Sequence, residues 1–70
     1  MKALSLNYDF KTTDKALKWV DTLYIKYDIP YGFRAFMEHI ATGGKVECNK
    51  DNSIVIENIL KYEGVNYIVE

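Results

Sequence analysis

The sequence predicts a small α+β domain, because the pattern of apolar residues changes twice along the chain. Leu4 and Leu6 alternate with polar residues, which is the period-two pattern of a half-buried strand. Apolar residues then recur at three- and four-residue spacing over residues 14–27 and 31–42, as in two amphipathic helices. Residues 45–70 are rich in β-branched and aromatic side chains, which favour strands. The predicted order is βααβββ.

The first strand is predicted over residues 2–10, where the alternation extends through Phe10. Thr12 and Thr13 offer capping hydroxyls, and Asp14 places a carboxylate in the first turn of the helix that follows. This first helix ends before Pro30, because the residue preceding a proline is biased away from helical angles.

The second helix carries one apolar stripe that includes Phe33, Phe36 and Ile40. Gly43 and Gly44 follow it directly, and glycine is the residue that most often terminates a helix in the left-handed conformation. Of the aromatic residues nearby, we expect Tyr24 and Tyr27 in the core, whereas Trp19 fits a core or an interface equally well.

The remainder of the chain is predicted to form three strands, residues 45–48, 53–62 and 65–70, joined by turns at residues 50–52 and 63–64. In this register eight apolar residues share one face of a meander; they are Val46, Cys48, Ile54, Ile56, Leu60, Tyr62, Val65 and Tyr67. The first strand is expected to join an edge of that meander, and both helices to pack on one face.

Length and charge limit the classes of function. Seventy residues with a net charge of −1 predict a single domain, residues 1–70, and argue against both a polybasic nucleic-acid module and a polyanionic DNA mimic. A lone cysteine and the lack of a signal-peptide or membrane-spanning pattern favour the cytoplasm. The abundance of Lys, Ile, Tyr and Asn, whose codons are AT-rich, suggests an AT-rich bacterium or its phage.

Side chains suited to catalysis or metal binding are few. His39 and Cys48 are the only imidazole and thiol, and zinc sites need three or four such ligands. Cys48 shares a face with Val46 in the predicted strand, which is the position expected of a buried structural cysteine. His39 is near a helix end. We therefore expect no enzyme activity, no metal and no cofactor.

One candidate binding surface is the outer face of the predicted sheet, an apolar centre with an acidic rim. Such a combination is common in protein-binding patches, although scattered surface aliphatics are also ordinary and the first helix could cross to cover them. The residues of this candidate partner-binding surface are Val55, Ile59, Ile68, Glu47, Glu57 and Glu70.

The other candidate surface is a stripe of lysines on the first helix. Lys15, Lys18 and Lys26 lie on one side of that helix, where they could follow phosphates. The polar side of any amphipathic helix looks similar, and Asp14 partly neutralises Lys18 at i,i+4.

These observations predict a non-enzymatic protein-interaction module that binds and inhibits or modulates a larger partner protein of unknown identity. A phage-type inhibitor of a host or defence protein is the instance that size and composition favour. Self-association into a homo-oligomer through the outer face or an open strand edge is a variant. The alternative is a small nucleic-acid-binding regulator that uses the lysine stripe.

Overall fold

A computed structural model describes residues 1–70 and shows an α+β fold, as the sequence predicts. A three-stranded antiparallel sheet packs against three α-helices. The elements follow the order βααβαβ: β1 (Lys2–Leu6), α1 (Thr13–Lys26), α2 (Arg34–Ala41), β2 (Val46–Cys48), α3 (Lys50–Glu63) and β3 (Tyr67–Val69).

The strand β1 ends earlier than the alternating pattern predicts, at Leu6 rather than at residue 10. The chain then turns sharply, because the Asp9 carboxylate accepts a hydrogen bond from the Lys11 N–H at 2.7 Å and Lys11 adopts a left-handed φ of 73°. Both features are typical of a turn and are incompatible with a continued strand. Alternation alone did not reveal this turn.

Helix α1 confirms the prediction to within one residue at each end. Thr12 is the N-cap, and its hydroxyl accepts a hydrogen bond from the Lys15 N–H at 3.2 Å. The buried stripe of the helix consists of Ala16, Val20 and Leu23.

The second predicted helix is present as a 3₁₀ turn, Tyr31–Phe33, that continues into α2. Its end confirms the role assigned to the two glycines. Gly43 has φ 93°, its N–H donates to the Ile40 carbonyl, and the Gly44 N–H donates to the His39 carbonyl. This pair of bonds is the Schellman motif.

The strand predicted over residues 53–62 is wrong, because this segment lies within α3. The buried residues Ser53, Ile56, Ile59 and Leu60 recur at helical spacing. The residues expected to form a turn at 50–52 are instead the first turn of the helix, and the Asn49 side chain caps it by accepting from the Asn52 N–H at 2.8 Å.

The hairpin turn predicted at residues 63–64 is also wrong, because Gly64 ends α3. It has φ 69°, and its N–H donates to the Lys61 carbonyl while the Val65 N–H donates to the Leu60 carbonyl. A left-handed glycine serves a hairpin turn and a helix end equally well, so its presence did not distinguish the two structures.

The sheet order is β2-β1-β3, so β1 is the central strand and the prediction of an edge strand is wrong. Leu4 is opposite Val46 on one side and Val69 on the other, and both neighbours run antiparallel to β1. β2 and β3 are therefore parallel to each other, joined by α3 as a crossover. The predicted meander, which needs consecutive strands to pair, does not form.

The core lies between one face of the sheet and the helices. Leu4, Val46 and Cys48 project from that inner face into a cluster of buried helix residues, and Tyr24 and Tyr27 pack against the cluster, as predicted. Trp19 also packs against it. The other helix residues of this core are Ala16, Val20, Leu23, Met37, Ile40, Ala41, Ile56, Ile59 and Leu60.

Candidate functional site

The six residues of the predicted partner-binding surface do not lie on one face. Three of them belong to the sheet and project from its outer face, which is the face opposite the core; these are Glu47, Ile68 and Glu70. The other three belong to α3 and lie on the core side of the sheet; these are Val55, Glu57 and Ile59. The assumption that residues 53–62 form a strand placed them together, and the helix separates them.

The α3 residues are engaged in holding the fold. Ile59 is buried in the core and Val55 packs against it. The Glu57 carboxylate accepts hydrogen bonds from the Tyr67 hydroxyl at 3.1 Å and from the Lys2 ammonium at 3.4 Å. Glu57 therefore links α3 to β1 and β3 on the inner face.

Small side chains occupy the centre of the outer face of the sheet. Ala3 and Ser5 of β1 project there, between Glu47 of β2 and Ile68 of β3. The side chain of Ile68 is 44% exposed, and no helix residue covers it. We call the set Ala3, Ser5, Glu47, Ile68 and Glu70 the outer sheet face.

The charge of this face is smaller than the sequence suggests. The Lys45 ammonium contacts the Glu70 carboxylate at 2.6 Å, so that one lysine offsets one of the glutamates on the rim. Glu47 is exposed and has no ion-pair partner. The outer sheet face thus carries one exposed aliphatic side chain, that of Ile68, beside the small Ala3 and Ser5, and one carboxylate, that of Glu47, without an ion-pair partner.

The lysine stripe of α1 is only partly free. The Lys26 ammonium contacts the Glu63 carboxylate of α3 at 2.9 Å, and the Tyr27 hydroxyl donates to the same oxygen at 2.7 Å. Lys15 and Lys18 are exposed and form no ion pair. Two of the three predicted phosphate-binding lysines are therefore available to a ligand.

The side chains that could take part in catalysis lack the accessibility and the lowered pKa of a nucleophile. Cys48 is 4% exposed, and burial, followed by the charge of Glu57, raises the pKa of its thiol. A reactive cysteine needs the opposite, a lowered pKa and access to solvent. His39 is exposed at the end of α2, with its ring against Gly44. No three His, Cys, Asp or Glu side chains are grouped so that they could hold a metal ion.

A shallow cleft of about 330 Å³ lies between the β1–α1 turn and the end of α2. Its wall contains the ring of Tyr8, which meets Phe10 edge-on at 4.7 Å, and Phe10 in turn lies 5.0 Å from Trp19. The alternating pattern predicted that Tyr8 and Phe10 are strand residues. It did not reveal this cleft, because the alternation continues through the sharp turn that forms the cleft.

Comparison with models of known families, with curated proteins and with solved structures gave no match to this chain. None of its helices combines the length and the apolar character needed to cross a bilayer. The basis for a functional assignment is therefore the arrangement of the chain's own residues.

Proposed function

We propose that this protein is a non-enzymatic interaction module that binds a larger partner protein through its outer sheet face and thereby inhibits or modulates it. The observation that carries the proposal is the exposed Ile68 on a sheet face that no helix covers. Exposed apolar side chains surrounded by polar residues are typical of protein-binding sites. A phage-type inhibitor of a host or defence protein is the instance favoured by the size and composition of the chain.

The chemistry of the remaining side chains supports binding over catalysis. A buried thiol with a raised pKa and an exposed imidazole at a helix end do not form a nucleophile and base pair. The polar groups that are buried serve the fold: Ser53, for example, donates to the Lys50 carbonyl at 2.9 Å.

The test is affinity capture with the protein and the variant Ile68→Lys as parallel baits, followed by mass spectrometry and a binding measurement with the captured protein. A lysine at the centre of an apolar contact should weaken binding at least about tenfold, within the range of interface hot spots. The substitution should leave the fold intact, because exposed strand positions tolerate such changes within about 1 kcal/mol.

The matched control is Ile25→Lys. Ile25 is 85% exposed on α1, on the helix side opposite the buried Ala16, Val20 and Leu23. Ile25→Lys is the same chemical change, but it is made on α1 and leaves the outer sheet face unaltered. Equal binding by the Ile68→Lys variant and the wild-type protein would exclude this face as the binding site.

A second candidate function is nucleic-acid binding by Lys15 and Lys18, because both ammonium groups are exposed and unpaired. It predicts binding to labelled DNA or RNA that falls steeply with salt and is lost on Lys15→Glu with Lys18→Glu. Lys50→Glu with Lys61→Glu on α3 changes the total charge by the same amount and is the control. The pairing of Lys26 with Glu63 and the net charge of −1 make this the weaker candidate.

A further inference from the structure

The outer edge of β3 carries backbone groups that no other strand satisfies. Ala3 and Glu70 exchange both of their backbone hydrogen bonds, at 3.0 and 2.8 Å. In an antiparallel pair such residues alternate with residues whose N–H and C=O groups point away from the neighbouring strand. Tyr67 and Val69 occupy these alternate positions, so their N–H and C=O groups point outward from the sheet.

The side chains at this edge are apolar on both faces. Val69 pairs with the fully buried Leu4 and therefore lies on the inner face, yet it is as exposed as Ile68 on the outer face. The helices thus stop short of the β3 edge. An additional strand would satisfy the outward backbone groups and place its own side chains beside Ile68 and Val69.

We propose that the occupant of this edge is a second copy of the chain, paired antiparallel through β3 with a two-fold axis at Ile68. In that register the outward N–H and C=O groups of Tyr67 form hydrogen bonds with those of Val69 in the other copy. All the outward backbone groups of these two residues are then satisfied. This goes beyond the proposed function, since it concerns the strand edge and the copy number rather than the partner bound by the outer sheet face.

Charge and side-chain matching favour this register. It places Ile68 opposite Ile68 of the second copy and Tyr67 opposite Val69, so that apolar groups meet. Glu70 is opposite Asn66, and no like charges face each other directly. No charged side chain at the centre of the paired strands therefore has to lose its contact with water.

The other open edge, that of β2, does not match itself in this way. Ala3 directs its backbone groups to Glu70, so the residue opposite Ala3 on β2, Glu47, directs its own groups outward. A two-fold pairing centred there would oppose two Glu47 carboxylates. Charged residues at strand edges commonly prevent such association. This like-charge contact disfavours a pairing of β2 centred on Glu47.

The pairing should be weak, because β3 is three residues long and small interfaces are transient. We expect a dissociation constant on the order of 10 to 1000 μM. Sedimentation equilibrium from about 10 μM to about 1 mM covers this range. The weight-average mass should rise from the monomer value of 8.1 kDa toward twice that value.

The decisive variants change Val69. Val69→Pro removes an outward N–H without removing a hydrogen bond between β1 and β3, and proline is tolerated on edge strands in this orientation. Val69→Thr keeps the N–H and nearly the same shape. We expect the proline variant to stay monomeric up to 1 mM and the threonine variant to associate within about threefold of wild type.

Amide hydrogen exchange of the wild-type protein gives a test that needs no variant. The N–H groups of Tyr67 and Val69 should exchange rapidly at low concentration and at least about tenfold more slowly where dimer predominates. A protein that remains monomeric at 1 mM would overturn the proposal, as would a dimer that persists in the Val69→Pro variant. Either result would leave partner capture through the outer sheet face unaffected, so the two proposals fail independently.

Discussion

The imidazole ring of His39 fills the space in which a Cβ atom of residue 44 would lie. Gly44 is therefore required for a different reason from its neighbour Gly43. Gly43 has a φ of 93°, which side-chain-bearing residues rarely adopt, but nothing lies within 4 Å of its would-be Cβ. One glycine is needed for backbone conformation and the other for the close approach of a ring.

The two glycines should respond differently to alanine substitution. Gly43→Ala should lower the free energy of unfolding by about 1–2 kcal/mol, because an L residue is strained at that φ. Gly44→Ala should cost only about 0.5–1.5 kcal/mol, since the exposed ring of His39 can rotate away at the cost of an unfavourable rotamer. Urea denaturation of both variants measures these differences.

A double-mutant cycle with His39→Ala separates the two causes. The cost of Gly44→Ala should nearly vanish in the His39→Ala background, whereas the cost of Gly43→Ala should persist. Gly32→Ala is the control, because Gly32 has open space around its would-be Cβ and no positive φ. A Gly44→Ala cost that is unchanged by removing the ring would show that the contact with His39 does not explain the glycine.

The capping of α3 by Asn49 gives a direct test of that helix. Asn49→Ala should destabilise the protein by about 1 kcal/mol, because the Asn52 N–H loses its side-chain acceptor. Asn49→Asp should retain the cap and stay close to wild type. Equal stability of the alanine and aspartate variants, measured by denaturation followed by far-UV circular dichroism, would contradict a cap at this position.

The segment of α3 shows what the sequence could and could not indicate. Ile54, Val55 and Ile56 are consecutive β-branched residues, and they favoured a strand on propensity. The helical spacing of Ser53, Ile56 and Leu60 was present but was hidden by a polar residue in a core position. Tertiary packing decided between the two patterns, and local propensity did not.

The two helices in the first half of the chain were predictable because independent signals agreed. In α1 the Thr12 cap, the apolar stripe and the proline after its end all gave the same boundaries. The sheet order was not predictable in this way, since it depends on α3 acting as a crossover between β2 and β3. The predicted partner-binding surface was partly wrong for the same reason. Glu47, Ile68 and Glu70 lie on the outer sheet face, whereas the three residues of α3 do not.

Cys48 should be almost unreactive in the folded protein. Its side chain is buried between the sheet and the helices, and burial raises the pKa of the thiol, so little thiolate is available to attack a reagent. Labelling with a disulfide reagent at pH 8 should be at least about 100-fold slower than in denaturant, because it requires the protein to open. The control is Glu47→Cys in a Cys48→Ala background, which moves the thiol to the exposed outer sheet face. Similar rates for the two thiols would contradict the burial of Cys48.

The Glu63 carboxylate joins the ends of α1 and α3. Its side chain is only 11% exposed, and it accepts hydrogen bonds from Lys26 and from Tyr27. The bond from Lys26, followed by that from Tyr27, lowers the pKa of Glu63. The bonds to Glu63 likewise raise the pKa values of Lys26 and Tyr27. The charged carboxylate is therefore the form that the folded protein favours.

This arrangement predicts a specific loss of stability in acid. Because the pKa of Glu63 is lower in the folded than in the unfolded protein, its contribution is complete above the ordinary glutamate pKa of about 4.3. The contribution is lost as the pH falls through the lower, folded pKa. Urea unfolding of wild type and Glu63→Gln between pH 2 and 7 should show a constant gap in stability at neutral pH that narrows below about pH 4.

Glu47→Gln is the matched control, because Glu47 is exposed and has no ion-pair partner. Its unfolding free energy should follow the wild-type curve at every pH, so that any narrowing seen with Glu63→Gln is specific to the bonded carboxylate. A gap between wild type and Glu63→Gln that stays constant down to pH 2 would mean that packing of the side chain, rather than its charge, joins the two helices. In that case Tyr27→Phe, which removes only a donor to Glu63, should also leave the loss of stability in acid unchanged. If the charge of Glu63 joins the two helices, Tyr27→Phe should instead move this loss of stability toward higher pH.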